Sequence, residues 1–400
     1  MLTLSQNSPP PALTPDWQNA GFGVYVHWPF CSAKCPYCDF NSHVRSNVDQ
    51  SAWLKAYRDE IAALAQLTGP REVATVFFGG GTPSLMAPET VGGVLEAIAQ
   101  AWGLPDGVEV SLEANPTSVE AVRFQGYANA GVNRVSLGIQ ALNDKDLRAL
   151  GRMHSTSEAK QAIEIAQRNF SKTSFDLIYA RQHQTASDWE AELQQAIKLS
   201  AEHLSLYQLT IEAQTRFGEM HARGRLRGLP NGDLGADLYL LTQDICEAHG
   251  LPAYEVSNHA APGSECQHNL IYWRYGDYAG IGPGAHGRLT IDGDRWATST
   301  ELQPEKWLSA AQTQKISSKF DENVPRSEQA EEYLMMGLRL AEGVSIRRLS
   351  DLNPTFDLSV AKDYAADGLL EISAERLSAT KDGRLVLNAL LGELLAGAGG

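Results

Sequence analysis

From Gly23 to about His249 the chain alternates short apolar runs with longer amphipathic stretches. Val24–Trp28, Val73–Phe78, Val108–Leu112, Arg134–Gly138, Ser174–Tyr179 and Leu204–Leu209 are short and rich in β-branched or aromatic residues. Runs of this kind suit strands covered on both faces of a parallel sheet. Between them, Gln50–Leu67 sets Trp53, Leu54, Tyr57, Ile61, Leu64 and Leu67 along one helical face. Further helices are predicted near Glu89–Trp102, Val119–Asn129, Ser157–Arg168, Asp188–Ser200 and Asp233–His249, with Arg216–Gly228 as a charged, Gly-rich linker. Six β/α units in strict alternation predict an α/β protein with a parallel sheet wound by helices. A closed barrel needs eight units. The rhythm leaves a partial barrel or a doubly wound sheet.

The rhythm stops near residue 255. Residues 1–20 read as a flexible, Pro-rich leader, 21–255 as the wound unit, 256–325 as an irregular connection rich in Gly, His, Tyr and Trp, and 326–395 as a small C-terminal domain. In that last domain, helices are predicted over Ser327–Leu340, Ser345–Leu352, Ser359–Ala366 and Gly383–Leu395. Leu369–Ile372 and Arg376–Ser378 form a small hairpin. Helices plus a two-stranded wing resemble a winged-helix unit.

Charge narrows the use of that unit. The 400 residues hold 33 Lys and Arg against 48 Asp and Glu, a net −15, which argues against a nucleic-acid partner. No run of 18 apolar residues predicts a membrane span, and residues 1–33 lack the Lys or Arg that an export signal needs. There are five cysteines, an odd count, which argues against a secreted disulfide framework and for a cytoplasmic, reduced protein.

Cys31, Cys35 and Cys38 fall within eight residues, close enough to converge on one metal centre. Three thiolates would leave one iron of an iron–sulfur cluster open. Structural zinc is the alternative, with His43 as fourth ligand. Gly79, Gly80, Gly81 and Thr82 follow an apolar run and can bring backbone N–H groups to a carboxylate or phosphate. Polar residues recur where predicted strands end: Cys31, Gly79–Thr82, Glu113 and Asn115, Gln140, and Asp176. In β/α barrels that end carries the site. Further on, His268-Asn269-Leu270-Ile271-Tyr272-Trp273 precedes a glycine run over 280–287 that only superficially resembles a dinucleotide fingerprint. His268 and Tyr272 are residue types that ligate haem iron, or else a hydrogen-bonded structural pair. Cys246 and Cys266 stand apart.

The spacing C-x3-C-x2-C with Tyr37 before the last cysteine resembles the signature of the radical S-adenosylmethionine (SAM) superfamily. Tyr25–Cys31, Gly79–Pro83, Ser136–Gln140, Gly151–His154 and Asp176–Tyr179 are similar to its coproporphyrinogen III dehydrogenase branch. The resemblance implies a partial (β/α)6 barrel in which Cys31, Cys35 and Cys38 hold a [4Fe–4S] cluster. It implies SAM contacts at Tyr25, Gly80, Gly81, Thr82, Glu113, Gln140, Arg152 and Asp176. In the dehydrogenases a fourth cysteine follows the third by two residues; here that position is Phe40. Phe40 and the His268–Trp273 motif fit better with the branch's haem-chaperone group. That group implies haem as ligand and membrane haem proteins as recipients, which allows peripheral membrane association although no anchor is visible. Oxidative decarboxylation of coproporphyrinogen III, or another radical reaction such as methyl transfer, is the competing expectation. One departure falls after Tyr179, where the family's Gly-Leu-Pro-x-Gln-Thr is replaced by Ala180-Arg181-Gln182-His183-Gln184-Thr185. It is expected to place a cation and a further ligand at the barrel mouth.

Overall fold

The computed structural model describes residues 16–200, 202–314 and 318–397. Residues 1–15 of the expected leader lie outside the described residues. The six expected strands form as β1 (Phe22–Trp28), β2 (Val73–Gly80), β3 (Glu109–Ala114), β4 (Arg134–Gln140), β5 (Lys172–Tyr179) and β6 (His203–Gln208). Each pairs in parallel with the next. Side chains alternate across each strand. In β1, Phe22, Val24, Val26 and Trp28 are buried in the main hydrophobic core, where Trp28 meets Trp53 of the helix Gln50–Thr68 edge-on at 5.7 Å. Tyr25 instead stacks on Phe77 of β2. Polar groups on β3, β4 and β5 share this second face, where the Ser174 hydroxyl donates to Ser136 and the Ser136 hydroxyl to Asp176. The barrel interior is therefore polar, and the apolar packing lies between sheet and helices.

Four sequence expectations need correction. Residues 258–300 are not irregular. They contain β7 (Asn258–Ala260), the helix Gln267–Trp273, β8 (Asp277–Ile281), β9 (His286–Ile291) and β10 (Asp294–Ser299), with β11 (Lys319–Asn323) beyond. The sheet has eleven strands in the order β11-β10-β9-β8-β1-β2-β3-β4-β5-β6-β7. β8 lies beside β1 and runs parallel to it, so the parallel part has seven strands rather than six. Second, the helix expected at Val119–Asn129 is two, Ser118–Ala121 and Phe124–Ala130. Glu120 is drawn inward to accept from the Asn115 N–H and the Ser84 hydroxyl, and Arg123 donates to the Ser84 carbonyl. These bonds interrupt the run. Third, the linker Arg216–Gly228 opens with a helix, Arg216–Ala222, capped by Thr215. Phe217 anchors it against Tyr37, with ring centres 6.4 Å apart. Fourth, residues 16–19 are not a free leader but a 3-10 turn. Arg348 grips Asp16 through two bonds of 2.7 and 2.6 Å, and Trp17 lies under the Arg71 guanidinium.

The C-terminal part has its own core, built on Leu334, Leu338, Leu349, Leu377 and Leu391 among others. Its hairpin, Leu370–Ile372 with Arg376–Ala379, is joined by a third short strand, Val344–Ser345. The helices Arg326–Gly337, Ile346–Leu352, Ser359–Ala366 and Leu387–Gly397 pack around it.

Candidate cofactor site

The loop carrying the cysteines leaves the C-terminal end of β1, pinned where Phe30–Cys31 pairs with His43–Val44. It closes over a cavity of about 140 Å³. Cys31, Cys35 and Cys38 line this cavity with Gly80, Gly81, Thr82, Glu113, Gln140, Arg152 and Asp176. The ends of β1 to β5 thus bring together the residues picked out along the sequence. The exception is Tyr25, which sits deeper. Its hydroxyl meets His27 Nδ1 at 3.0 Å, and its ring lies beside the stacked Phe77 and His268 rings, 6.3 Å from each.

Glycine is required at the cavity wall. A Cβ on Gly81 would lie 2.8 Å from the Phe30 carbonyl oxygen, and Gly80 has φ +112. Thr82 donates to Cys31 Sγ at 3.4 Å and Arg152 to Cys35 Sγ at 3.3 Å. Arg152 also donates to Asn115 Oδ1 at 2.6 Å and to the Gly138 carbonyl at 2.8 Å. Asn115 in turn donates to Thr82 at 3.3 Å. Sequence reasoning marked Asn115 as a strand-end polar residue but gave it no role; here it joins the cysteine side of the cavity to Arg152. Gln140 holds φ +71, a left-handed conformation that costs a side-chain-bearing residue energy and that clusters at working sites.

The carboxylates carry the electrostatics. Burial, reinforced by the neighbouring Asp176 charge, pushes Glu113 up to about 8, against a lowering bond from the Gly80 N–H. Burial raises Asp176 to about 6, opposed by bonds from Ser136 and Ser205. Neither carboxylate forms an ion pair among the described residues. Such groups favour a cationic or hydroxyl-bearing occupant. Burial also raises the Cys31 and Cys38 thiols.

Among the described residues no three His, Cys, Asp or Glu side chains converge tightly enough for a single metal ion. His43, the fourth zinc ligand in the alternative reading, turns to Asn41 Oδ1 at 3.1 Å instead. A four-iron cluster is larger than one ion and takes more widely spread thiolates. Phe40 stands at the cavity mouth, 62% exposed.

The His268–Trp273 motif is a helix that plugs the barrel interior. The Gln267 N–H donates to Glu109 at 2.8 Å. Both His268 ring nitrogens are engaged, Nδ1 with Thr75 and Nε2 with Tyr272, each at 2.7 Å. Burial lowers the imidazole to about 3. Of the two readings of His268 and Tyr272, this arrangement is the hydrogen-bonded pair, bonded to each other and to Thr75. His268→Ala is expected to cost about 3 kcal/mol, because two buried hydroxyls lose their partner and a cavity opens. Denaturant unfolding checks this, and a variant as stable as the parent would refute the plug.

The glycine run leads from β8 into antiparallel β9 and opens no helix, so the dinucleotide resemblance ends there. The loop after Tyr179 is also corrected. Ala180 and His183 take positive φ, of 57 and 60. Arg181 is buried and paired with Asp146 and Glu192 at 2.8 and 2.5 Å. His183 packs at Gly228, where a Cβ would fall 2.2 Å from its ring. Arg181 therefore adds no free cation at the mouth.

Comparison with known proteins gives the chain's family. The Radical SAM superfamily model matches residues 25–196, and the HemN C-terminal domain model matches 324–386. The chain is 38% identical over 385 residues to the bovine mitochondrial protein called radical S-adenosyl methionine domain-containing protein 1, covering 93% of this chain and 87% of that protein. It is 36% identical to the Escherichia coli protein called heme chaperone HemW, covering 93% and 98%. The solved structure of E. coli coproporphyrinogen III oxidase (HemN) superposes with a TM-score of 0.76 over 94% of this chain and 90% of that one. At 20% identity that match establishes the shared fold. No helix among the described residues is long and apolar enough to cross a membrane. With these relatives, this signature and this partial barrel, the chain belongs to the radical SAM superfamily, in the HemN-related branch that includes the HemW proteins.

Proposed function

We propose that the chain holds a [4Fe–4S] cluster on Cys31, Cys35 and Cys38, binds SAM beside it, and carries haem to recipient haem proteins. Membership of the superfamily implies the cluster and SAM. One observation carries the reading: three thiols, two buried carboxylates without an ion pair among the described residues, and Arg152 face one cavity, with Phe40 and not a fourth thiol at its mouth.

The donor set fits both groups. Thiolates are the usual ligands of iron–sulfur clusters. When bound, the cluster supplies an electron to SAM. Glu113 and Asp176 suit the ammonium and ribose hydroxyls of SAM, Arg152 suits its carboxylate, and Gly80 and Gly81 let backbone approach it. The haem half of the proposal rests on the relatives called heme chaperone HemW and on Phe40. Delivery to membrane respiratory proteins, from the cytoplasmic side and with peripheral association, belongs to the same proposal. Free thiols at all five cysteines fit a reducing compartment.

Anaerobic reconstitution with iron and sulfide, followed by EPR with and without SAM, tests the first half. About four irons per chain and a signal that shifts with SAM are expected; Cys35→Ala should lose both. Haem titration and an assay for protoporphyrinogen test the second half. Clear turnover of coproporphyrinogen III would replace the carrier reading with the dehydrogenase one.

A further inference from the structure

We propose that the barrel rim beside the cysteine loop docks on an anionic lipid surface, through the arginine segment that follows β6. The proposal rests on the carrier reading, with its peripheral membrane association, and says which face makes the contact. The charged segment Arg216–Gly228 contributes nothing to the lining of the cofactor cavity. The chain carries −15, yet over 212–228 four arginines stand against Glu212 and Glu219, a local +2. Arg216 is paired with Glu219 at 3.0 Å. Arg223, Arg225 and Arg227 are exposed and form no ion pair among the described residues.

Packing fixes this segment at the mouth of the barrel. Phe217 and Leu226 are buried in a small apolar cluster with Leu147, Leu150 and Ile178, and Tyr37 of the cysteine loop packs against it. The Phe217 N–H donates to the Pro36 carbonyl at 2.8 Å. The loop after Tyr179 holds the other end. There Gln182 Nε2 donates to the Arg227 carbonyl and the His183 N–H to the Gly228 carbonyl, each at 2.6 Å. Leu226 is thus drawn inward, and Arg225 and Arg227 on either side of it stay in solvent.

Large apolar side chains share the rim. Gly151 abuts the cysteine loop so closely that a Cβ there would fall 2.6 Å from Pro36 Cδ. Two residues on, Met153 is 75% exposed. Phe40, on the same loop as Pro36, is exposed as well. Lys34 and Asp39, also exposed on that loop, offset each other in charge. Free cations beside exposed apolar groups fit a bilayer interface. Guanidiniums meet lipid phosphates there, and apolar side chains enter the boundary with the acyl chains. An acidic protein surface would match the arginines alone.

The test floats the full-length chain with vesicles of phosphatidylglycerol and phosphatidylcholine in equal parts, and with vesicles of phosphatidylcholine alone. Binding is expected to the anionic vesicles only, and to weaken as salt is raised. Arg223→Gln, Arg225→Gln and Arg227→Gln combined should weaken it about 100-fold, the usual attraction of three basic residues to an anionic surface. The same three positions changed to Lys should stay within a few-fold of the parent. Met153→Ser should weaken binding several-fold at low and at physiological salt alike. Thermal unfolding should not move in the arginine variants, which separates docking from folding. A Gln triple variant that floats like the parent would overturn the face. So would equal binding to both kinds of vesicle, or a Lys triple variant as weak as the Gln one. Capture of the parent by polyglutamate but not by vesicles would assign the arginines to an acidic protein and overturn the lipid surface. Each of these failures leaves haem binding in place, whereas a parent chain that binds no haem would sink the carrier reading whatever the vesicles show.

Discussion

Glu113→Gln is expected to make the ligand-free protein more stable at pH 8 and its binding of SAM much weaker. The Glu113 carboxyl titrates near 8 in the fold against an ordinary value of 4.5. Its folded form holds a proton that the unfolded chain has released, so stability falls as pH rises from about 4.5 to about 8 and then levels. Each pH unit of displacement is worth about 1.4 kcal/mol. With cavity water softening the effect, a neutral amide should recover on the order of 2 kcal/mol at pH 8. The sign reverses for binding. SAM is cationic and favours the ionised carboxylate, so affinity should rise from about pH 6 to about 8, with Asp176, raised to about 6, adding the lower part of the slope. Glu113→Gln should lose roughly 10- to 100-fold in affinity, the measure of a hydrogen bond to a charged partner, and should flatten the upper part of the profile. Thermal unfolding without SAM and anaerobic calorimetry with it read the two effects separately. A variant less stable than the parent at pH 8 would mean that the carboxylate has a cationic partner in the fold.

Much of the candidate site could be read from residue order, for a physical reason. In a strand, residues two apart share a face, so Ser136, Gly138 and Gln140 mark the inward side of β4 before any coordinates exist. Strand ends in wound sheets gather at one rim, which is why Cys31, Thr82, Glu113 and Asp176 could be grouped. The seventh parallel strand was hidden. β8 lies among Gly276, Gly280, Gly282, Gly284 and Gly287, which erase the apolar pattern that strands are read by. Those glycines answer to tertiary contact: a Cβ on Gly280 would come within 2.1 Å of the His286 carbonyl oxygen. No local rule carries that information. The motif at His268 was visible as a motif, but its use was not. Thr75, the partner that occupies Nδ1, lies 193 positions away along the chain. Arg181 was equally opaque, because its partners Asp146 and Glu192 are brought to it by two separate helices.

The strand that escaped prediction is held by a fully buried charge cluster, and Asp277→Asn is expected to cost about 3–5 kcal/mol. Asp277 opens β8 and is completely buried. Its oxygens accept from Arg71 at 2.6 Å, from Arg295 at 2.8 Å, and from the Thr290 N–H and hydroxyl at 2.5 and 3.0 Å. Arg71 precedes β2 and Arg295 lies in β10, so one carboxylate ties strands from both halves of the sheet. An amide keeps the volume and some of the bonds but leaves two buried guanidiniums facing each other without a counter-charge. Their mutual repulsion and unmet desolvation then act on the same strand that closes against β1. Denaturant unfolding followed by tryptophan fluorescence should show the loss. Replacing the whole group, with Arg71→Met, Asp277→Leu and Arg295→Met together, should recover most of it, since apolar residues need no counter-ion. If the single variant matched the parent, the triad would be dispensable. If the triple variant were as damaged as the single one, the hydrogen bonds to Thr290, and not the balance of charge, would be what holds β8 in the sheet.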